Sequence, residues 1–261
     1  MSLRIVVCVK YVPDATGDRH FAEDLTTDRE AVDGLLSELD EYAVEQALRI
    51  AEDADDAEVT VVTVGPEDAT DALRKALSMG ADKGVHVEDD DLHGTDVIGT
   101  SLVLAKAIEK TGYDLVVCGM ASTDGGMGVL PAILAERLGV PQVTFLTEVS
   151  VADGTVSGRR EGDAATEQVE AALPAVVSVT DRSGEARYPS FKGIMAAKKK
   201  PVETLDLEDL ELEAEQVGLE GAFTKVLSAT ERPARTAGEI VTDEGEGAKL
   251  LAAFLAERKF I

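Results

Sequence analysis

Short β-branched runs alternate with longer stretches of helical period through the first half of the chain. RIVVCVK from Arg4, EVTVVTVG from Glu58, GVHVE from Gly84 and DLVVCGM from Asp114 are near-continuous apolar runs of strand length, the pattern of strands covered on both faces. Between them lie LDEYAVEQALRIAED from Leu39, PEDATDALRKALSMGAD from Pro66 and DVIGTSLVLAKAIEKTG from Asp96. In the second of these, Ala72, Leu73, Ala76 and Leu77 share one helical face, and Gly80 stands just beyond as a stop. Such alternation predicts an α/β fold: a Rossmann-like, doubly wound, mostly parallel sheet with crossover helices. In sheets of this kind ligands lie beyond the carboxyl ends of the strands.

After Pro141 the texture changes. Val149 to Val151, then Asp153, Gly154 and Val156, predict a hairpin with an Asp-Gly turn, and ALPAVVSVT predicts another buried strand. This segment adds antiparallel strands at the sheet edge. From Ser190 a helical or loop segment, SFKGIMAAKKKPVETLDL, carries a basic run. An acidic stretch, LEDLELEAEQ, and a helical terminus, EGAKLLAAFLAERKFI, follow. The expected organisation is one α/β domain over residues 1–205, with a segment of separate character at 184–201, and a C-terminal extension over 206–261.

Charge narrows the partners. The 261 residues carry 51 acidic and 25 basic side chains, a net charge of −26. Naked nucleic acid is excluded as a partner, because neutralising phosphates requires clustered Lys and Arg. Acidic residues recur in many loops, as in AEDADDAE at 51–58 and VEDDD at 87–91, which describes a solvated acidic surface. Self-repulsion on such a surface fades as the Debye length shrinks to about 3 Å at 1 M salt. We therefore expect adaptation to a salty, halophilic cytoplasm.

Arg4 is followed only by the short apolar run IVVCV before Lys10, so no secretory signal is expected. No apolar run is long enough to span a bilayer. A cytoplasmic protein without stable membrane insertion is the expectation. Cys8 and Cys118 each sit in a strand-like run and read as small buried hydrophobes. His20, His86 and His93 share no metal-ligand spacing, so no metal site is expected.

The turn after DLVVCGM reads ASTDGGMGVLPAILAERLGVP. Gly125, Gly126 and Gly128 permit close backbone approach, and a helix over Val129 to Leu138 would point its free amides at the turn. Pro131 suits that helix's first turn, where its missing amide hydrogen costs nothing. The arrangement fits an anion cradle, and it fits a plain strand-to-helix turn equally well. Neither GxGxxG nor a P-loop is present.

Several stretches, in order, carry a family resemblance: VVCVKYVPD, LDEYAVEQALRI, VTVGP, ALRKALSMGADKGVHV, the glycine turn, LPAVVSVTD and RYPSFKGIMAAKKKP. Together, from about Arg4 to about Pro201, they resemble the β (small) subunit of electron-transfer flavoprotein, the Fix-type small subunit. The last sixty or so residues resemble it less. The resemblance implies a heterodimer whose α subunit holds most of a redox-active FAD, while the β subunit buries one structural AMP. At matching positions the AMP site comprises Cys8; Ser37, Glu38, Leu39 and Asp40; Val64; and Gly119, Ala121, Ser122, Thr123, Asp124, Gly125, Gly126, Met127, Gly128, Val129 and Leu130. Many relatives have Asn-Pro at Ser37 and Glu38, and polar Asp and Gln side chains at Gly126 and Val129. A pocket with fewer side-chain donors leans on backbone amides and the helix dipole.

The resemblance also assigns RYPSFKGIMAAKKKP as a partner-docking segment, with Tyr188, Phe191, Ile194 and Met195 as apolar contacts and Lys198, Lys199 and Lys200 available for electrostatics. As a bare pattern the same stretch reads as an amphipathic helix with a solvated lysine run. Phe191 stands where relatives usually place Leu, and a buried aromatic is an effective anchor. The loop Tyr11, Val12, Pro13 is brought near the flavin in related β subunits; by itself it is a strand exit with a rigid turn. The implied role is an electron carrier without a catalytic residue of its own, passing electrons from dehydrogenases such as acyl-CoA dehydrogenases to a quinone oxidoreductase. Two alternatives stand beside it: a bifurcating relative with a second FAD in the β pocket and NADH nearby, and a stand-alone nucleotide-binding module of the universal-stress type.

Overall fold

The structure, a computed structural model, describes residues 2–233, 238 and 240–261. In chain order its elements are β1 (Leu3–Cys8), β2 (Tyr11–Pro13), β3 (Gly34–Leu36), α1 (Glu38–Asp53), β4 (Ala57–Val64), α2 (Thr70–Met79), β5 (Lys83–Val87), α3 (Val97–Thr111), β6 (Leu115–Gly119) and α4 (Leu130–Leu138). They continue with β7 (Gln142–Ala152), β8 (Thr155–Glu161), β9 (Thr166–Ala172), β10 (Ala175–Val179), α5 (Phe191–Ala197), β11 (Val202–Leu205), α6 (Gly218–Gly221) and α7 (Gly247–Glu257). Nine strands form one sheet in the order β11-β5-β4-β1-β6-β10-β7-β8-β9, and β2 and β3 make a separate antiparallel pair. The doubly wound α/β expectation holds.

The winding follows from the connections. Through α1 and α2 the chain steps outward from β1 to β4 and β5; α3 then carries it back to β6 on the other flank of β1. The winding therefore reverses between β1 and β6, the point at whose strand carboxyl ends doubly wound sheets bind their ligands. Val7 lies opposite Val61 on one side and Val117 on the other, all parallel.

Alternation along each strand feeds two cores. Ile5 and Val7 face a cluster with Ala43, Val44 and Ala47 of α1 and Leu73 and Leu77 of α2. Val6 and Cys8 face the opposite cluster, with Leu104 and Ile108 of α3 and Leu134 of α4. Both faces are covered, which is why these strands read as unbroken apolar runs.

Helix boundaries follow local chemistry. The Asp96 carboxylate accepts the amides of Ile98 and Gly99, each at 3.0 Å, and so caps α3. At the end of α4 stands Gly139 in the left-handed region, φ +64°. The Asp-Gly hairpin is present between β7 and β8, with positive φ at both Asp153 and Gly154, as a type I′ turn requires. β7 pairs in parallel with β10 near its start and antiparallel with β8 beyond.

The chain divides into two units, one up to Leu227 and one from Ser228. Residues 206–227, grouped by sequence with the extension, pack in the first unit, where Leu207, Leu210, Leu212 and Val217 join the α3 core. The second unit carries α7, with Leu250, Leu251 and Phe254 all about half exposed.

Candidate functional site

At the carboxyl end of β1 the chain turns out through Lys10, and its main chain is tied at once to the start of α1. The Lys10 amide donates to Asp40 Oδ2 at 2.8 Å, and the Ser37 amide donates to the Lys10 carbonyl at 2.9 Å. Asp40 is buried, and its carboxylate lies against Gly119. Burial pushes its carboxyl up to about 7, with the nearby Asp124 charge adding to the rise, against the Lys10 and Gly119 contacts. Gly119 has to be glycine here: an added Cβ would stand 2.4 Å from Asp40 Oδ1 and 2.9 Å from the Leu39 carbonyl oxygen. One buried carboxyl thus joins β1, α1 and β6 across the point where the winding reverses.

The glycine turn stands beside this joint. Ser122 organises it: its carbonyl accepts the Gly126 amide at 3.1 Å and its hydroxyl accepts the Gly125 amide at 3.3 Å. Gly126 and Gly128 occupy the left-handed region at φ +64° and +67°. Three basic side chains from the first strand exit and the following loop converge on the turn. Lys10 Nζ lies 2.9 Å from Asp124 Oδ1, Arg29 Nη2 lies 3.4 Å from Asp124 Oδ2, and Arg19 Nη1 donates to the Thr123 carbonyl at 3.3 Å. Burial acts to raise the Asp124 carboxyl, but the Lys10 ammonium and hydrogen bonds from Ser122, Lys10 and Gly125 hold it down at about 2. Two cations pair with Asp124 and a third, Arg19, holds the neighbouring Thr123 carbonyl, so three basic side chains gather at the turn that leads into α4.

Lys10, Arg19 and Arg29 are absent from the sequence-derived set. Lys10 had a signal, since it directly follows a strand. Arg19 and Arg29 lie in an irregular loop, and only the fold carries them over the turn.

Of the residues assigned from sequence, Ser37, Leu39, Asp40 and Gly119 meet at the joint, and Asp124 connects to it through Lys10. Cys8 is buried on β1, and the next strand places buried Cys118 beside it; both are free thiols. Contact with Cys8 and burial push the Cys118 thiol well up, which keeps it protonated. Glu38, Gly125, Gly126, Met127 and Val129 are exposed, while Ala121, Ser122, Thr123, Gly128, Leu130 and Val64 are half-buried.

The hydroxyls of Ser37 and Thr63 are buried and unpartnered. Both stand at the carboxyl side of the sheet, Thr63 directly before Val64 at the end of β4. Buried hydroxyls without an internal partner are the type of group a polar ligand satisfies, so these residues fit a sugar or base at this edge. Two shallow depressions mark the surface, one on α4 around Val129, Ala132 and Ile133 and one around Leu102 and Phe223. Neither encloses Asp40. Among the described residues no group of three or more His, Cys, Asp or Glu is placed to hold a metal, and no helix is long and apolar enough to cross a membrane.

The docking segment lies on α5. Ser190 caps it, its hydroxyl accepting the Gly193 amide at 3.0 Å. Tyr188 is 94% exposed and Phe191 80%, and Ile194 and Met195 are about half exposed. Lys198 and Lys199 are exposed, but Lys200 is engaged inside the fold. Its Nζ donates to the carbonyls of Leu77, Gly80 and Ala81 at 3.1, 3.0 and 2.5 Å, closing the C-terminus of α2.

Comparison with known proteins now defines the class. The profile of the electron transfer flavoprotein domain matches residues 24–210. Similar proteins include the electron transfer flavoprotein subunit beta of Mycobacterium tuberculosis, 51% identical over 98% of this chain and 99% of that protein, and that of Mycobacterium leprae, 52% identical over the same shares. The subunit beta of Thermoanaerobacterium thermosaccharolyticum is 36% identical over 92% of each chain. The chain belongs to the electron transfer flavoprotein family, on its β-subunit branch.

Proposed function

We propose that this chain is the β half of a heterodimeric electron carrier that holds one AMP at the glycine turn and presents α5 to its redox partners. The observation that carries the reading is the convergence of Lys10, Arg19 and Arg29 on Ser122–Gly126, where the winding of the sheet reverses. A phosphate set there meets three cations, the close-approaching backbone of the glycine turn, and the N-terminus of α4. Ser37 and Thr63 supply hydroxyls for the nucleoside end. The role of this nucleotide is scaffolding.

A redox-active FAD, held mainly by the α subunit, supplies the electron-carrying chemistry. In this reading the β chain shapes one wall of that site with the β2–β3 pair, braces the heterodimer with the apolar face of α7, and docks dehydrogenases, including acyl-CoA dehydrogenases, through Phe191 and its neighbours. A quinone oxidoreductase receives the electrons. No side chain is given a role as acid, base or nucleophile, and the carrier works in a cytoplasmic, salt-rich setting.

Purified heterodimer, denatured and chromatographed for released nucleotides, tests the reading: one AMP and one FAD are expected. Two FAD and no AMP would transfer the site to the bifurcating type, with NADH binding nearby. The stand-alone nucleotide-binding module has no observation in its favour, since full-length likeness to β subunits and an exposed docking helix both point to an assembly.

A further inference from the structure

The exposed face of α5 stands between two anchors that bind it to the body of the protein. On the C-terminal side, Arg74 Nη1 donates to the carbonyls of Ala197 and Lys200 at 2.8 and 3.0 Å, and Lys200 closes α2 as described. Gly193 lets α5 approach that helix end: an added Cβ would stand 2.5 Å from the Ser78 carbonyl oxygen.

On the N-terminal side the anchor is ionic and partly buried. Glu45, Arg49 and Glu52 follow one another along one face of α1, at spacings of four and three. Arg187 lays its guanidinium across them. Its Nε and main-chain amide donate to Glu45 Oε2 at 2.7 and 3.1 Å, its Nη2 to Glu45 Oε1 at 3.3 Å and Glu52 Oε2 at 3.1 Å, and its Nη1 to Glu52 Oε1 at 2.5 Å. Arg49 Nε completes the shell of Glu45 at 2.6 Å. Just upstream, Gln46 Nε2 donates to the Ser183 carbonyl at 2.8 Å and Arg49 Nη2 to the Glu185 carbonyl at 3.4 Å. The Glu45 side chain is only 4% exposed, against 59% for Glu52. Water and salt therefore screen the inner half of the clasp far less than the outer half.

From Arg187 the path to the tip is short and stiff. Pro189 has a fixed φ, Ser190 caps the helix, and Phe191 is its first residue. Between the anchors, the backbone hydrogen bonds seen among residues 188–196 are local to α5.

We propose that Arg187 is the positioning residue of the docking segment: by clasping Glu45 and Glu52 on α1 it sets where Phe191 stands before any partner arrives. Preorganisation of this kind lowers the entropic cost of ordering a segment on binding. The inference rests on the docking reading of α5, and its test separates the two.

Arg187→Gln and Arg187→Lys heterodimers are compared with wild type in flavin reduction by an acyl-CoA dehydrogenase and its acyl-CoA substrate, with carrier concentration varied, and in hydrogen exchange over residues 183–191. Arg187→Gln is expected to raise the half-saturating carrier concentration by about tenfold, with little change in the maximal rate, and to speed exchange at 183–187. Lys, which keeps the charge but not the fork, is expected to restore part of both. Should Arg187→Gln fail to assemble, the exposed Glu52→Gln serves, with a smaller shift in the same direction. Unchanged half-saturation and unchanged exchange in the assembled variant would overturn the proposal. Phe191→Ala is run alongside: if it raises half-saturation while the Arg187 and Glu52 variants do not, the positioning role fails alone, and if Phe191→Ala has no effect, the docking reading itself fails.

Discussion

The main-chain amide of Lys10 reaches the Asp40 carboxylate at 2.8 Å, while the same residue's ammonium reaches Asp124 at 2.9 Å. One residue therefore links the buried joint between β1, α1 and β6 to the glycine turn. Disturbing either contact tests a different property.

Asp40 predicts a pH signature. Its carboxyl keeps its proton up to about pH 7 in the folded protein, whereas an unfolded chain releases it near pH ~4. Between those values the folded state binds the extra proton, so this group makes stability fall as pH rises, by up to about 1.4 kcal/mol per unit. Asp40→Asn removes that slope. Urea unfolding of wild type and variant from pH 4.5 to 7.5 checks it; parallel curves would refute the raised pKa.

If the glycine turn holds AMP as proposed, the basic residues around it govern nucleotide retention. Lys10→Ala combined with Arg29→Ala leaves Asp124 uncompensated and removes two of the three basic side chains gathered there, so the purified heterodimer is expected to carry much less than one AMP while keeping its FAD. Chromatography of released nucleotides reads both. Full AMP occupancy in the double variant would mean that backbone amides alone hold the phosphate.

Two glycines of this region fail for different reasons. Gly119→Ala drives a Cβ against Asp40 and the Leu39 backbone, and overpacking of this kind costs about 1–3 kcal/mol or more. Gly126→Ala meets nothing within 4 Å but must hold φ +64°, costing about 1–2 kcal/mol. Denaturant midpoints rank them, and a Gly126 cost above that of Gly119 would contradict the packing described for the joint.

Salt should stabilise the whole chain. With a net charge of −26, raising KCl from low concentration to molar relieves self-repulsion, and the melting temperature of the heterodimer is expected to climb. A flat response would remove the proposed adaptation to a saline interior.

Phe191→Ala is expected to leave the flavin in place and to slow flavin reduction by a dehydrogenase at subsaturating carrier, because a truncated aromatic anchor costs about 2 kcal/mol or more. Rates equal to wild type would show that the exposed ring at 191 anchors nothing.

What the sequence by itself determined is the layered core and the glycine turn at its carboxyl edge. The unbroken runs at Ile5–Cys8 and Leu115–Gly119 could only be strands covered on both faces, and the helical period around Leu73 and Leu77 could only cover such a sheet, because burial imposes a local repeat on the chain. Gly125, Gly126 and Gly128 marked the turn for the same local reason. Tertiary structure alone decided the rest. That VETL becomes β11 beside β5, that Tyr11–Pro13 pairs with Gly34–Leu36, and that residues 206–227 complete the α3 core depend on partners far along the chain. So does the fate of the charges. Arg29 and Lys10 meet at Asp124, Lys200 leaves the lysine run to close α2, and Arg187 spans to Glu45 across 142 residues. Hydrophobic periodicity is written in neighbours, whereas an ion pair is written only in space.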